Sequence, residues 1–269
     1  MKLENKLCVL TGGAGMLAEQ FALAIMSEGG KVFLLDIDKE ALNNKIKMLN
    51  QKYPNQCDGV VTNITDELSV TRAQEIISKN NQKINVLINI AANNPKIESN
   101  NKLNFSRLEN FQLSQWNNDI SVGLTGAFIC AKIFGTEMAK EKQGIIVNIA
   151  SDLSIIAPDQ RIYREDNLED DMQPVKPITY SVVKSGLIGL TKYLATYWAD
   201  QGIRVNALSP GGVFANQSEE FIDKLTNLIP MGRMANSDEY NSAIVFLCSD
   251  DSSYMTGNNL IIDGGRTCW

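Results

Sequence analysis

The chain has 269 residues, 44% of them apolar and 21% charged, proportions ordinary for a folded globular protein and enough to bury a substantial core. A net charge of −6 and a pI near 4.9, without any Lys/Arg cluster, argue against a nucleic-acid-binding surface. Histidine is absent altogether, which excludes Ser-His-Asp and Cys-His hydrolases, HExxH metalloenzymes and most zinc sites.

Lys6–Thr11 reads as a short buried strand that breaks into Gly12-Gly13-Ala14-Gly15. A helical pattern follows from Met16 to about Glu28, with Phe21, Ala24 and Ile25 on one face, and Gly29-Gly30 end it. Lys31–Asp36 is a second buried-type strand. Strand, glycine loop, helix and strand in this order make a βαβ unit, whose crossover is right-handed. The glycines let the backbone approach a pyrophosphate, whose charge sits at the helix N-terminus. Asp36 stands roughly twenty residues beyond Gly15, at the end of the second strand, where a carboxylate accepts from ribose hydroxyls.

The alternation continues. A helix over 39–52 precedes a strand over 59–62, and a helix over 67–79 precedes a strand over 85–89. A long helical region from about Leu113 to Lys142 leads to a strand over 145–150. After an irregular stretch come a helix over 178–199 and a strand over 204–208, then helices over 219–228 and 237–248 and a last strand over 259–262. Strands this apolar, spaced by helices, belong in a parallel sheet covered on both faces, an α/β architecture. No internal repeat, low-complexity linker or composition break divides the chain, so residues 1–269 are expected to form a single domain. The stretch 155–177 is long, acidic and bounded by prolines, and is expected to be a lid over substrate. Five scattered cysteines without CxxC spacing read as reduced thiols of a cytoplasmic protein. No N-terminal signal pattern is seen, and no apolar run approaches the ~20 residues of a membrane span.

The irregular stretch ends at Thr179-Tyr180-Ser181-Val182-Val183-Lys184, which opens an apolar-periodic run through Leu187, Leu190 and Leu194. Tyr180 and Lys184 share one helix face, so phenol and ammonium are expected in one site. A cation ~4 Å from a phenol at an effective dielectric of ~20 could lower its pKa from about 10 by up to about three pH units, into the range of acid–base chemistry.

With Thr11-Gly12…Gly15 at one end and Tyr180…Lys184 in the second half, the sequence resembles the short-chain dehydrogenase/reductase family over nearly its whole length. Asn148-Ile149-Ala150-Ser151, Asn206 to Gly211 and Asp263-Gly264-Gly265 carry the same resemblance. It implies a three-layer Rossmann-type fold with a seven-stranded parallel sheet, usually assembled as a homodimer or homotetramer. It also implies hydride transfer between a nicotinamide and a carbinol or carbonyl carbon. Tyr180 would exchange the proton, Lys184 would lower its pKa and hold the nicotinamide ribose, and Ser151 would bond the substrate oxygen. Cofactor contacts are implied for Gly12, Ala14, Gly15, Met16, Leu17, Asp36, Ile37, Asn63 and Ile64, for Asn89, Ala91 and Ala92, and for Pro210, Gly211 and Val213, besides Tyr180 and Lys184. Asp36 would repel a 2′-phosphate, so NAD is expected rather than NADP.

The chain departs from the family pattern where Gly123 replaces a catalytic asparagine of the proton relay, which favours a catalytically silent scaffold as the rival reading; Asn118 is near but in a different register. Arg161, Arg164 and the neighbouring carboxylates, with Asn93 and Asn94, point to a small polar, sugar-like or phosphorylated substrate. The C-terminal block from Ile229 is similar to members associated with bacterial sugar modification, including flagellin glycosylation. A 3-oxoacyl thioester reductase is the alternative enzyme. No metal, nucleic acid or membrane partner is expected.

Overall fold

A computed structural model describes residues 1–79, 83–93, 106–166 and 168–269. Its centre is a seven-stranded, wholly parallel sheet of β1 (Leu7–Thr11), β2 (Lys31–Asp36), β3 (Cys57–Val61), β4 (Ile84–Asn89), β5 (Gly144–Ile149), β6 (Ile203–Pro210) and β7 (Asn259–Ile262). The spatial order is β3-β2-β1-β4-β5-β6-β7. Winding therefore reverses between β1 and β4, which opens a crevice at the carboxyl ends of the strands.

Alternation along the strands explains the two covering layers, because successive side chains point to opposite faces. Cys8 and Leu10 of β1 and Val32 and Leu34 of β2 join one core with Phe21 and Ile25 of α1 (Met16–Ser27), Leu42 and Leu49 of α2 (Lys39–Lys52). Leu7, Val9, Phe33 and Leu35 face the other way, onto Val70 and Ile77 of α3 (Glu67–Lys79).

The long predicted helix is continuous but not uniform: α4 (Leu113–Ile120) runs through a widened π-type turn at Ser121–Thr125 into α5 (Gly126–Lys140). Taken together, Leu113–Lys140 is long and apolar enough to cross a membrane, which the sequence reading did not anticipate. Half of its apolar window is buried in the fold, where Ile129, Cys130, Phe134 and Met138 pack into the second core. The same layer holds Leu194 and Ala195 of α6 (Ile178–Tyr197). Two short helices complete the chain, α7 (Glu219–Thr226) and α8 (Asn241–Cys248), and α8 joins the first core through Ile244 and Leu247.

Candidate active site

At the end of β1 the chain turns through Gly12, whose φ of +65° and whose distance of 3.0 Å from a would-be Cβ to the Cα of Ala91 leave no room for a side chain. Thr11 Oγ1 accepts from the N–H groups of Ile90 and Ala91 and so fastens this loop to the end of β4. Gly15 is the N-cap of α1 and supplies no side-chain bond to its first turn. Those orphan N–H groups, reinforced by the helix dipole, form a site that suits a pyrophosphate. The Asp36 carboxylate, which accepts from the N–H groups of Ala14 and Asp38, faces the same crevice from the end of β2. A glycine cradle, an uncapped helix start and a diol-accepting carboxylate on one wall fit a dinucleotide.

The wall is one cavity of about 820 Å³ lined by Gly12, Gly15, Met16, Leu17, Asp36, Ile37, Asn63, Ile64, Ala91 and Ala92, and on the far side by Pro210, Gly211 and Val213. Two residues with implied cofactor contacts stand elsewhere. Ala14 does not line the cavity, and its N–H donates to the Asp36 carboxylate. Asn89 is buried between strands, where its Nδ2 donates 2.8 Å to Asn148 Oδ1, while Asn148 in turn donates to Thr191. Its place as the last residue of a central strand makes Asn89 a cross-strand tie.

Ser151, Tyr180 and Lys184 line the same cavity. β5 ends just before Ser151, and α6 carries the other two, so a strand end and a helix start bring them together. Lys184 is buried and its Nζ donates 2.7 Å to the carbonyl of Ile149. Burial, followed by the nearby Lys176, lowers its pKa to about 8. The phenol differs from expectation. Burial pushes Tyr180 above its ordinary value, with Ser151 opposing and Asp152 adding to the rise. Lys184 Nζ is 5.8 Å from the Tyr180 ring centre and committed to a carbonyl. The predicted lowering by Lys184 is therefore not seen: desolvation dominates, and the one opposing influence is the hydrogen bond with Ser151.

Gly123 sits inside the π-type turn, facing α6. A Cβ there would lie 2.5 Å from Val183 Cγ1, so valine fills the space that an asparagine would need. Behind the two is a cavity of about 10 Å³, bounded by Asn93, Asp119, Thr179, Tyr180 and Lys184 among others and near the smallest that holds one water. Buried Asp119 accepts there from Thr179 Oγ1 (2.6 Å), Gln115 and Asn93. Gly123→Asn alone is expected to destabilise the fold by about 1–3 kcal/mol through overpacking. Adding Val183→Ala should recover most of that loss, as thermal denaturation of the single and double variants would show.

Sequence reasoning missed the other end of the cavity. Ser151 Oγ donates 2.7 Å to Asp152 Oδ1, and Asp152 Oδ2 accepts 2.7 Å from Arg266 Nη1, in a pair that is almost fully buried. Lys176 lies 4.0 Å from the Tyr180 ring centre, and burial brings its pKa down to about 8. Tyr163 stands on the same wall, its pKa raised to about 12 by burial. The available signal was position: Asp152 follows Ser151, and Arg266 follows the Gly264-Gly265 turn.

Arg161 and Arg164, read as substrate contacts, turn outward instead. Their side chains are 83% and 55% exposed and pair with Asp159 and Asp170. Asn93 and Asn118 do line the cavity, and Asn94 lies outside the described residues. The stretch from 155 to 177 is folded where it is described: Ile162 packs with Leu225, Ile229 and Met234, and Gln173 clamps the backbone of Glu165 and Leu168.

Known proteins resemble this chain over nearly its whole length. The family pattern described as short chain dehydrogenase matches residues 6–162, and that described as Enoyl-(Acyl carrier protein) reductase matches residues 170–267. The chain is 32% identical to a 3-oxoacyl-[acyl-carrier-protein] reductase of Thermotoga maritima, over 98% of this chain and 99% of the relative. It is 30% identical to an NAD-dependent glycerol dehydrogenase of Listeria innocua, over 98% and 95%. Among solved structures, a short-chain dehydrogenase from Leptospira borgpetersenii with bound NAD+ superposes with a TM-score of 0.82 at 30% identity, covering 99% of this chain and 94% of that one.

Proposed function

Because the chain belongs to the short-chain dehydrogenase/reductase family and is a nicotinamide-dependent oxidoreductase of hydroxyl and carbonyl groups, we propose that it uses NAD(H) to interconvert a hydroxyl and a ketone on a small, polar, polyhydroxylated substrate. The observation that carries the reading is the single cavity running from Asp36 to Ser151, Tyr180 and Lys184. The likeness to the glycerol dehydrogenase supports a polyol-type substrate, and Asn93, Asn118, Tyr163 and Lys176 give the wall the polar character such a molecule needs.

When bound, a nicotinamide supplies or takes the hydride. On this reading the first turn of α1 and the glycine loop hold its pyrophosphate, and Asp36 holds the adenosine ribose. Tyr180 moves the proton at the substrate oxygen, as the one phenol beside both Ser151 and Lys184. Ser151, already held by Asp152, bonds that oxygen and fixes its approach. Lys184, with a pKa near 8 and anchored to Ile149, passes a proton to and from the tyrosine side of the site. The stretch 155–177 closes the substrate end as a lid hinged beside α6.

Free thiols at all five cysteines fit a reducing cytoplasm, and exposed Phe128, Tyr193 and Tyr197 on α5 and α6 fit a homodimer or homotetramer. A second reading, a 3-oxoacyl thioester reductase, is favoured by the identity with the Thermotoga reductase. Turnover of an acetoacetyl thioester in preference to any polyol would establish it.

The cofactor assignment has its own test. The Asp36 carboxylate favours a ribose diol and repels a phosphate, so NADH should bind at least roughly tenfold more tightly than NADPH, a difference of about 1.4 kcal/mol. Fluorescence titration with the two nucleotides measures this, and equal affinities would refute the role given to Asp36. A screen of polyols and sugars with NAD, followed by NADH absorbance, then finds the substrate class.

A further inference from the structure

We propose that Asp119 is a positioning residue for the reaction, fixing the rotation of α6, and with it the place of the Tyr180 phenol, through the hydroxyl of Thr179. The proposal rests on the oxidoreductase reading only through the role given there to Tyr180.

The seam between α6 and the helix that faces it is built of two rungs in register. Asp119 pairs with Thr179, and one helical turn further along both chains Gly123 pairs with Val183. Tyr180 and Lys184 each follow a seam residue by one position. A rotation of α6 about its axis therefore carries the phenol and the ammonium with it. The second rung is apolar, backbone of Gly123 against the valine, and gives contact without direction. The first is directional, since Thr179 Oγ1 donates 2.6 Å to Asp119 Oδ2 and both residues are buried. Pro177 caps α6 without a side-chain bond, so α4 lends the first turn a polar anchor from outside. A carboxylate beside a helix N-terminus also agrees with the helix dipole.

Asp119 is itself held. Its Oδ1 accepts 2.7 Å from Gln115 Nε2, one turn earlier on α4, and 3.2 Å from Asn93 Nδ2, beyond β4. Donors from three elements converge on one buried carboxylate, which leaves it little freedom to swing. Asp119, Thr179, Tyr180 and Lys184 share the walls of the small cavity behind the seam, so a shift at the rung reaches the phenol directly. Lys184 has a second anchor, the carbonyl of Ile149. Loss of the Asp119 rung should therefore free Tyr180 more than Lys184, and displacement of a reacting group by ~1 Å can cost roughly 10²-fold in rate.

Thr179→Val removes the hydroxyl and keeps the shape, whereas Thr179→Ser keeps the hydroxyl. In the whole protein, ionisation of Tyr180 is followed as pH is raised by carbon NMR of tyrosines labelled at Cζ, its signal being the one lost in Tyr180→Phe. Around the phenol stand Lys184, Lys176, Tyr163 and the Asp152–Arg266 pair, all unchanged in these variants. A changed midpoint thus reads the position of the ring. It should fall by about half a pH unit or more in Thr179→Val, because a freed ring loses part of the burial that holds it up. Asp119→Asn should move it the same way, and Thr179→Ser should leave it in place. With glycerol and NAD, kcat should fall roughly tenfold or more in Thr179→Val while NADH affinity changes by less than about twofold. A parent protein inactive on glycerol counts against the polyol reading alone, and the titration still decides this one. An unmoved midpoint in Thr179→Val, with only the melting temperature lowered, overturns the proposal, because the rung then supports the fold and nothing more. An equal fall in Thr179→Ser also overturns it. If Thr179→Val does not fold, Thr179→Ala, with the same hydroxyl missing and less bulk, takes its place.

Discussion

Tyr180→Phe is expected to lower turnover by roughly 10²-fold or more while folding and NADH affinity survive, the range for losing a general acid–base. The substitution removes one oxygen from a buried ring that Lys176 and the start of α6 hold in place. With no histidine in the chain, no imidazole can take over the proton. Of the other phenols, Tyr163 on the same wall is pushed up to about 12 by burial. Burial holds Tyr180 above its ordinary pKa, so the ionised form that accepts a proton from an alcohol is populated only toward alkaline pH. Turnover should therefore rise with pH toward the alkaline side in the oxidative direction. A pH profile of the wild type beside Tyr180→Phe measures both effects, and a variant that keeps most of its rate would place the proton path elsewhere.

Arg266→Met should destabilise the protein by about 3–5 kcal/mol, because it leaves Asp152 as a buried, uncompensated carboxylate. Turnover should fall with it, since Asp152 also holds the Ser151 hydroxyl. The double variant Asp152→Leu with Arg266→Met is expected to recover most of the stability, as replacing a whole buried pair by apolar residues of similar size often does. It should not recover turnover, because Ser151 loses its orienting acceptor. Urea denaturation of both variants and the parent decides this. If Arg266→Met melts like the wild type, the pair adds nothing to the fold.

Much of this protein was determined by local sequence. β1, the glycine loop, α1 and β2 are legible because each is set by near neighbours: apolar runs make buried strands, glycines permit φ of +65° at position 12, and an uncapped helix start follows. The i, i+4 spacing likewise predicts that Tyr180 and Lys184 share a face, since a helix repeats every 3.6 residues wherever it lies. What tertiary structure decided is the environment of those groups. Whether Lys184 lowers the Tyr180 pKa depends on how deeply the ring is buried, and no local pattern states that. Arg161 and Arg164 met nearby aspartates and turned to solvent, whereas Lys176 turned inward. The tolerance of Gly123 depends on Val183 in another helix. Asp152 and Arg266 are 114 residues apart and meet only because β5 and the turn after β7 end on the same edge of the sheet. Hydrogen-bonded elements are encoded by short-range periodicity, while burial and ion pairing are set by which elements the fold brings side by side.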